Sequence, residues 1–277
     1  MLKKYSSIIF TAVLGSTFLL NAQMHKFQNS SGNTGYSIQR KDEKGLQVKF
    51  SANQFQFEDR VADGVTMKGI NFPGMFLPNE AGFPDLPGNA RYIAVPQGAN
   101  AVVKIKSYDL ETIKNIDISP APIIPLVTDD SPPKFEKNAD AYSTNAFYPA
   151  SPVQLIKPTV IRGIDAVMLG VTPFQYNPVT KELLVYNNLQ VEISFEGGNG
   201  HFGNDACRSR WWEPILQDMF LNYEQLTPLN ELSNFKKGFT PAATDTGCEY
   251  AIIIPNSAVF AQWADSIKKF RLQLHSV

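Results

Sequence analysis

From Gly45 onward the chain runs in short stretches that alternate apolar and polar residues. Leu46-Gln47-Val48-Lys49-Phe50 and Phe55-Gln56-Phe57 place every second side chain on one face, the period of a half-buried strand. Residues 65–70, 91–95 and 101–110 continue the series. Pro73-Gly74, Pro78-Asn79, Gly82-Phe83-Pro84 and Pro87-Gly88 punctuate it at spacings too short for helices. The clearest hairpin follows: a strand over 163–174, a turn at Asn177-Pro178-Val179-Thr180, and a return over 183–195. On the return, Leu189, Val191, Ile193 and Phe195 share one face and Gln190, Glu192, Ser194 and Glu196 the other. One apolar face and one solvated face define an antiparallel sheet packed on a core. The pattern predicts a mainly β chain whose centre, residues 45–197, is an antiparallel β-sandwich.

Three segments break this pattern. Residues 23–44 are polar and rich in Asn, Ser and Gly, which predicts a loose N-terminal stretch. Residues 117–152 are proline-rich and carry a Thr128-Asp129-Asp130-Ser131 acidic patch beside Lys134 and Lys137. They predict a long extended surface loop, and loops of that length in compact domains are commonly binding elements. Residues 198–247 read as a linker. In it, Trp211-Trp212-Glu213-Pro214 opens a short helix with Ile215, Leu216, Met219, Phe220 and Tyr223 on one stripe, suited to covering an edge of a neighbouring domain.

The end of the chain changes class. Tyr250-Ala251-Ile252-Ile253-Ile254-Pro255 is wholly apolar, and Asn256-Ser257 and an amphipathic stretch over 258–274 follow it. A strand buried on both faces, an N-cap serine and a helix form the first βα unit of a parallel α/β sheet. One such unit cannot make a sheet. Residues 248–277 are therefore expected to be the truncated start of a second domain.

Composition narrows the class. Apolar content of 43% with 12% aromatics supports a real core, and 19 prolines and 18 glycines at only 18% charge favour a turn-dense β chain. At the N-terminus, Lys3 and Lys4 precede an apolar stretch over 8–20, with a cleavage point after Ala22. This is the pattern of a secretory signal, residues 1–22, and the stretch is shorter than the roughly 20 apolar residues of a spanning helix. No later stretch is apolar enough to span a bilayer. The whole chain carries net charge −1. Loss of Lys3 and Lys4 with the signal leaves −1 − 2 = −3, which argues against a nucleic-acid partner.

Catalytic chemistry is sparse. The only thiols are Cys207 and Cys248 and the only imidazoles His25, His201 and His275. His201 and Cys207 share a glycine-rich loop, a poor support for a thiol–imidazole pair. There is no Cys-x-x-Cys, no His-x-x-x-His, no phosphate-loop glycine spacing and no Gly-x-Ser-x-Gly elbow, so no metal, cofactor or catalytic residue is expected in this chain. For Cys207 and Cys248 two readings stand: a disulfide tying the linker to the following unit, or one buried small residue and one loop thiol.

Several blocks carry a family resemblance. Asn145-Ala146-Phe147-Tyr148-Pro149, Ile161-Arg162-Gly163, Val171-Thr172-Pro173-Phe174-Gln175-Tyr176-Asn177-Pro178 and Val191-Glu192-Ile193-Ser194-Phe195 resemble the propeptide of gingipain-type (clan CD) cysteine peptidases. Gly82-Phe83-Pro84-Asp85-Leu86-Pro87 and Ile93-Ala94-Val95-Pro96-Gln97-Gly98-Ala99 fit the same region. Tyr250-Ala251-Ile252-Ile253-Ile254-Pro255 and Trp263-Ala264-Asp265 resemble the opening of that family's catalytic domain.

The resemblance implies a β-sandwich that assists folding and blocks the active-site cleft of its cognate catalytic domain until it is cut away. It also implies an exported bacterial protein, periplasmic, cell-surface or secreted. The family's catalytic Cys and His have no counterpart here, so the chain alone is expected to be no enzyme while its parent is a cysteine-type endopeptidase. Within this frame Lys134 and Lys137 are the candidates to enter a basic-specific pocket, and Arg208, Arg210, Lys236 and Lys237 the candidates for maturation cleavage. The rival expectations are an extracellular β-sandwich that binds a surface or carbohydrate, and a non-functional truncated product.

Overall fold

The computed structural model describes residues 23–27, 34–75, 77, 79–231 and 251–274. The chain divides into two compact units, Met1–Asn234 and Phe235–Val277.

The first unit is built from three antiparallel sheets. In one, β4 (Gln54–Ala62) and β5 (Val65–Asn71) form a hairpin, and β1 (Gln23–Lys26) pairs with β4 on its other side. The second is organised by β11 (Glu182–Gly197). One edge of β11 pairs with β10 (Phe174–Asn177) and then with β3 (Gly45–Ser51), which carries β2 (Gly35–Asp42). Its other edge pairs with β7 (Ala99–Lys114) from Glu182↔Lys114 to Gly197↔Ala99, interrupted by a bulge between Asn187 and Val191. The third holds β6 (Asn89–Ala94), β9 (Ile164–Val171) and β8 (Val153–Ile161) in the order β6-β9-β8.

The β-rich antiparallel class expected from the pattern is the one observed, with three sheets around one main core. Leu189, Val191 and Ile193 of β11 are buried in that core with Phe50, Phe55, Phe72, Phe174 and Tyr176. Phe55 and Phe174 meet edge to face at 5.0 Å, a geometry that adds to their burial.

Three expectations are corrected. Residues 163–174 are not one strand. The chain leaves the third sheet at Thr172-Pro173 and re-enters as β10 in the second, because Pro173 has no N–H for a ladder while its carbonyl accepts from Tyr186 N–H at 2.9 Å. Within the stretch expected to be loose, 23–26 and 35–42 are the strands β1 and β2. The latter is an edge strand with one paired side and a mostly exposed, charged surface, so it shows little apolar alternation. Residues 251–257 form no strand, although α3 (Ala258–Leu274) follows them as expected. Among the described residues of that unit there is no strand to pair with, and an isolated parallel strand has no hydrogen-bonding partner. Val259, Phe260, Trp263 and Phe270 on α3 are exposed. No helix among the described residues is long and apolar enough to cross a membrane.

The segment after β11 packs on the third sheet. In α2 (Glu213–Met219) and the turns around it, Leu216, Phe220 and Leu226 are buried against Ala94, Ile164, Ala166 and Phe202. Met219 and Tyr223 pack beside them, while Ile215 faces out. Leu221 N–H donates to Tyr92 C=O at 2.8 Å, continuing the edge of β6. Lys41 pairs with Glu224, and the Gln225 amide donates to Asp42 C=O at 2.8 Å. The two segments that look loosest in sequence thus hold each other.

Candidate functional site

The longest excursion from the sheets is the segment over 117–152, and its ends are anchored in the core. Ile116 and Ile118 are buried. The Tyr176 hydroxyl donates to Ile116 C=O at 3.0 Å and the Tyr142 hydroxyl to Ile118 C=O at 2.9 Å. Burial pushes the Tyr176 phenol up to about 12, and raises that of Tyr142 further. Lys68 N–H donates to Asp117 C=O at 2.7 Å and Ser119 N–H to Lys68 C=O at 2.8 Å, so the segment runs parallel to β5 for a few residues. At its far end Tyr148 and Tyr176 exchange two backbone hydrogen bonds, of 2.9 and 2.8 Å.

Only the middle projects. Ile123 and Lys134 exchange backbone hydrogen bonds of 2.8 and 3.2 Å and close a neck. Above it, Asp129 N–H donates to Leu126 C=O at 2.8 Å, making a tight turn at the apex. The Asp129 carboxylate accepts from Ser131 N–H at 3.0 Å, which holds its pKa below the usual carboxylate value. The apex is therefore a turn rather than the extended run that its prolines suggest.

The descending limb is strapped to the β4–β5 hairpin by Arg60. Its guanidinium pairs with Glu58 at 2.6 Å and Asp85 at 2.5 Å and lies over the Phe135 ring at 5.7 Å. Burial works against this charge, but the hydrogen bonds to the two carboxylates outweigh it and keep the Arg60 pKa above its ordinary value. Lys137 N–H donates to Asp63 at the hairpin turn at 3.2 Å, and Asn138 then caps α1 (Ala139–Ser143) through Ala141 N–H at 3.0 Å. An open groove of about 690 Å³ lies beside this strap, lined by Arg60, Phe72, Met75, Leu77, Pro122 and Ile124 among others.

The residues expected to act fall in different places. Lys134 is exposed with its backbone in the neck, and the Lys137 ammonium lies 5.5 Å from the Tyr142 ring centre. Arg210 is exposed and stacks over Trp211 at 4.7 Å. Arg208 is not in an exposed flexible segment: it is 6% exposed. Its guanidinium makes two hydrogen bonds to Glu213, of 2.8 and 2.7 Å, and a third to Thr227 C=O at 3.1 Å. Cys207 is an exposed free thiol against the Arg162-Gly163 turn. A Cβ at Gly163 would stand 2.9 Å from the Cys207 Cβ, and the glycine's φ of +76° suits the tight β8–β9 connection. Ala22, Lys236, Lys237 and Cys248 lie outside the described residues.

Among the described residues no three His, Cys, Asp or Glu side chains gather as metal ligands. His201 pairs with Asp205 at 2.9 Å and His25 with Glu111 at 2.8 Å.

The fold is a β-rich, mainly antiparallel module that carries this projecting loop. The family model Propeptide_C25 matches residues 29–227, and the chain belongs to that family. It is 28% identical over 242 residues to Lys-gingipain of Porphyromonas gingivalis, covering 84% of this chain and 14% of that protein. With gingipain R1 of the same organism it shares 30% identity over 192 residues, 68% of this chain and 19% of the other. It thus spans less than a fifth of the curated relatives named here.

Among solved structures, it resembles the complex of P. gingivalis RgpB pro- and mature domains at TM-score 0.60 and 22% identity, over 68% of this chain and 97% of that one. It resembles a structure bearing on zymogenic latency of gingipain K from P. gingivalis at TM-score 0.53 and 27% identity, over 63% and 98%.

Proposed function

We propose that this chain is the inhibitory and folding-assisting propeptide region of an exported gingipain-like cysteine endopeptidase, and that its partner is the mature catalytic domain. The observation that carries the reading is the projecting segment over 123–134. It is anchored at both ends, closed at its neck and strapped by Arg60, on a module of the Propeptide_C25 family. A rigid framework that aims a pre-shaped loop can obstruct a cleft without losing much ordering entropy on binding. The gingipain relatives, and the pro–mature complex among the structural neighbours, support this assignment over an extracellular surface- or carbohydrate-binding module.

The secretory pattern of residues 1–22 supports export, with cleavage after Ala22. For maturation, the burial and double pairing of Arg208 count against a cut there. Arg210 and the Lys236-Lys237 pair are the remaining basic sites. For Cys207 and Cys248 both readings stay within the proposal, a disulfide or two separate residues; Cys207 is an exposed thiol. The test is to add the purified chain to a gingipain-type catalytic domain from the same organism. Slowed hydrolysis of a peptide substrate at micromolar chain is expected, and undiminished hydrolysis rejects the inhibitory role.

A further inference from the structure

We propose that the projecting loop works as an aliphatic plug, led by Leu126 and Val127 with Ile124 behind them, and that the surface it fills on the peptidase takes branched aliphatic side chains, not lysine. This rests on the propeptide reading above. Ile124, Leu126 and Val127 are 76%, 79% and 103% exposed. A single exposed aliphatic residue is ordinary, but three within four positions on the ascending limb and apex of a projection form an apolar contact patch.

The patch is built, not incidental. The Leu126–Asp129 turn fixes its apex, the Ile123–Lys134 pair closes its neck, and Pro125, Pro132 and Pro133 restrict the chain on both limbs. Apolar side chains held ready in this way bind with little further ordering.

The lysines are placed differently. Lys134 sits in the neck, with its N–H and C=O committed to Ile123, and Lys137 is lower still, beside Tyr142 and Asp63. The charges at the apex are Asp129 and Asp130. A pocket built for lysine carries negative charge, and two carboxylates on the entering loop would be repelled from it. The apex turn also explains why the plug would persist: peptidases bind substrates extended, and a closed turn does not offer its peptide bonds in that form. The occupant is the mature catalytic domain. The relatives extend far beyond the part this chain matches, and a structural neighbour is a complex of pro- and mature domains.

The experiment measures inhibition of the gingipain-type catalytic domain by the full chain, by a Leu126→Asp/Val127→Asp variant, by a milder Leu126→Ser/Val127→Ser variant, and by Lys134→Ala and Lys137→Ala. Thermal melting of each variant confirms folding, which substitution of exposed side chains leaves intact. The expected result is at least a 50-fold rise in Ki for the aspartate variant and an intermediate rise for the serine variant. Changes for the two lysine variants should stay below threefold. If Lys134→Ala or Lys137→Ala abolishes inhibition while the apex variants inhibit normally, the plug is overturned and the propeptide reading stands. If the unaltered chain fails to inhibit, the propeptide reading itself falls. A second readout uses fluorogenic peptide libraries: the mature domain should prefer aliphatic over basic residues in at least one subsite, and strict selection of lysine or arginine with no aliphatic preference overturns the proposal.

Discussion

Asn222 stands in for a missing strand beside Ala94. Its side-chain oxygen accepts from Ala94 N–H at 2.8 Å, and its side-chain nitrogen donates to Ala94 C=O at 2.9 Å. The residue is 0% exposed. An amide side chain carries one acceptor and one donor in the same arrangement as a peptide group, so it can satisfy both backbone groups at the end of β6. The same amide also donates to Gln225 at 2.8 Å, which fixes its orientation. The stretch from the end of β11 to Leu226 is therefore packed into the propeptide module.

Replacing Asn222 with Ala should strip Ala94 of both partners in a dry environment. Each buried unsatisfied backbone group costs about 1–3 kcal/mol, so the loss of two partners should come to roughly 2–6 kcal/mol in urea unfolding. Asn222→Asp keeps the acceptor and removes the donor, and should lose stability through the unpaired carbonyl. If the Ala variant unfolds at the same urea concentration as the parent, the side chain is not closing the edge.

Acid should weaken the same region through Glu213. Burial pushes its carboxyl up, but hydrogen bonds from Arg208 and Tyr223 and the Arg208 charge outweigh burial and leave its pKa below the ordinary 4.5. A carboxylate with a depressed folded-state pKa contributes stability that is fully present above its unfolded value. That contribution is lost as pH falls through the folded value. Melting temperature is therefore expected to drop below about pH 4.5 in the parent, and less steeply over that window in Glu213→Gln, which has no carboxyl to titrate there. The Gln variant should also be less stable at neutral pH, because Arg208 would be left buried without its counter-charge. Parallel pH profiles for the two proteins would refute this.

How much of this was legible along the chain differs from element to element. The alternation of Leu189, Val191 and Ile193 marked the central strand correctly, because a residue period of two is a local property. The Leu216–Phe220 stripe was local in the same way. The strap and the edge closure were not. Arg60 reaches Asp85 across 25 positions and Asn222 reaches Ala94 across 128, and a polar residue carries no mark of a distant partner. The burial of Arg208 is hidden in the sequence for a related reason: glycines upstream suggest an open connector, and its partner Glu213 lies five residues on, a spacing with no helical or strand signature. The projecting loop was visible as a proline-rich stretch, but its turn and neck were not, since those depend on which backbone groups find each other.

Alkaline pH should loosen the root of the loop. Burial pushes the Tyr176 phenol up to about 12 and raises Tyr142 as well, and both hydroxyls donate to carbonyls at the segment's start. For a group whose folded-state pKa is raised, the stabilising contribution is complete below the unfolded value. It disappears as pH rises toward the folded one. Stability should therefore fall between about pH 10, the ordinary tyrosine value, and about pH 12. Tyrosinate absorbance should rise together with loss of the folded signal. Tyr176→Phe should cost about 1 kcal/mol at neutral pH, from one lost hydrogen bond to a backbone carbonyl. If tyrosinate forms fully near pH 10 with the fold intact, the phenols are not held as described.

Arg60 is the positioning residue of the descending limb, and its removal should separate loop order from global folding. Arg60→Ala leaves Glu58 and Asp85 facing each other without a counter-charge and takes the guanidinium from above Phe135. The side chains of Arg60 and Asp85 remain 21% and 20% exposed, so water can relieve part of the repulsion and the global cost should be modest, about 1–2 kcal/mol. The larger effect should be local. With the strap gone, the neck at Ile123 and Lys134 opens more often, and a lysine-specific protease should cut after Lys134 several-fold faster than in the parent at equal protease. Arg60→Lys retains the charge but not the two-pronged contact with Glu58 and Asp85, and should fall between them. Equal cutting rates in parent and Arg60→Ala, with both chains folded, would show that the loop is held by its own turn and neck alone.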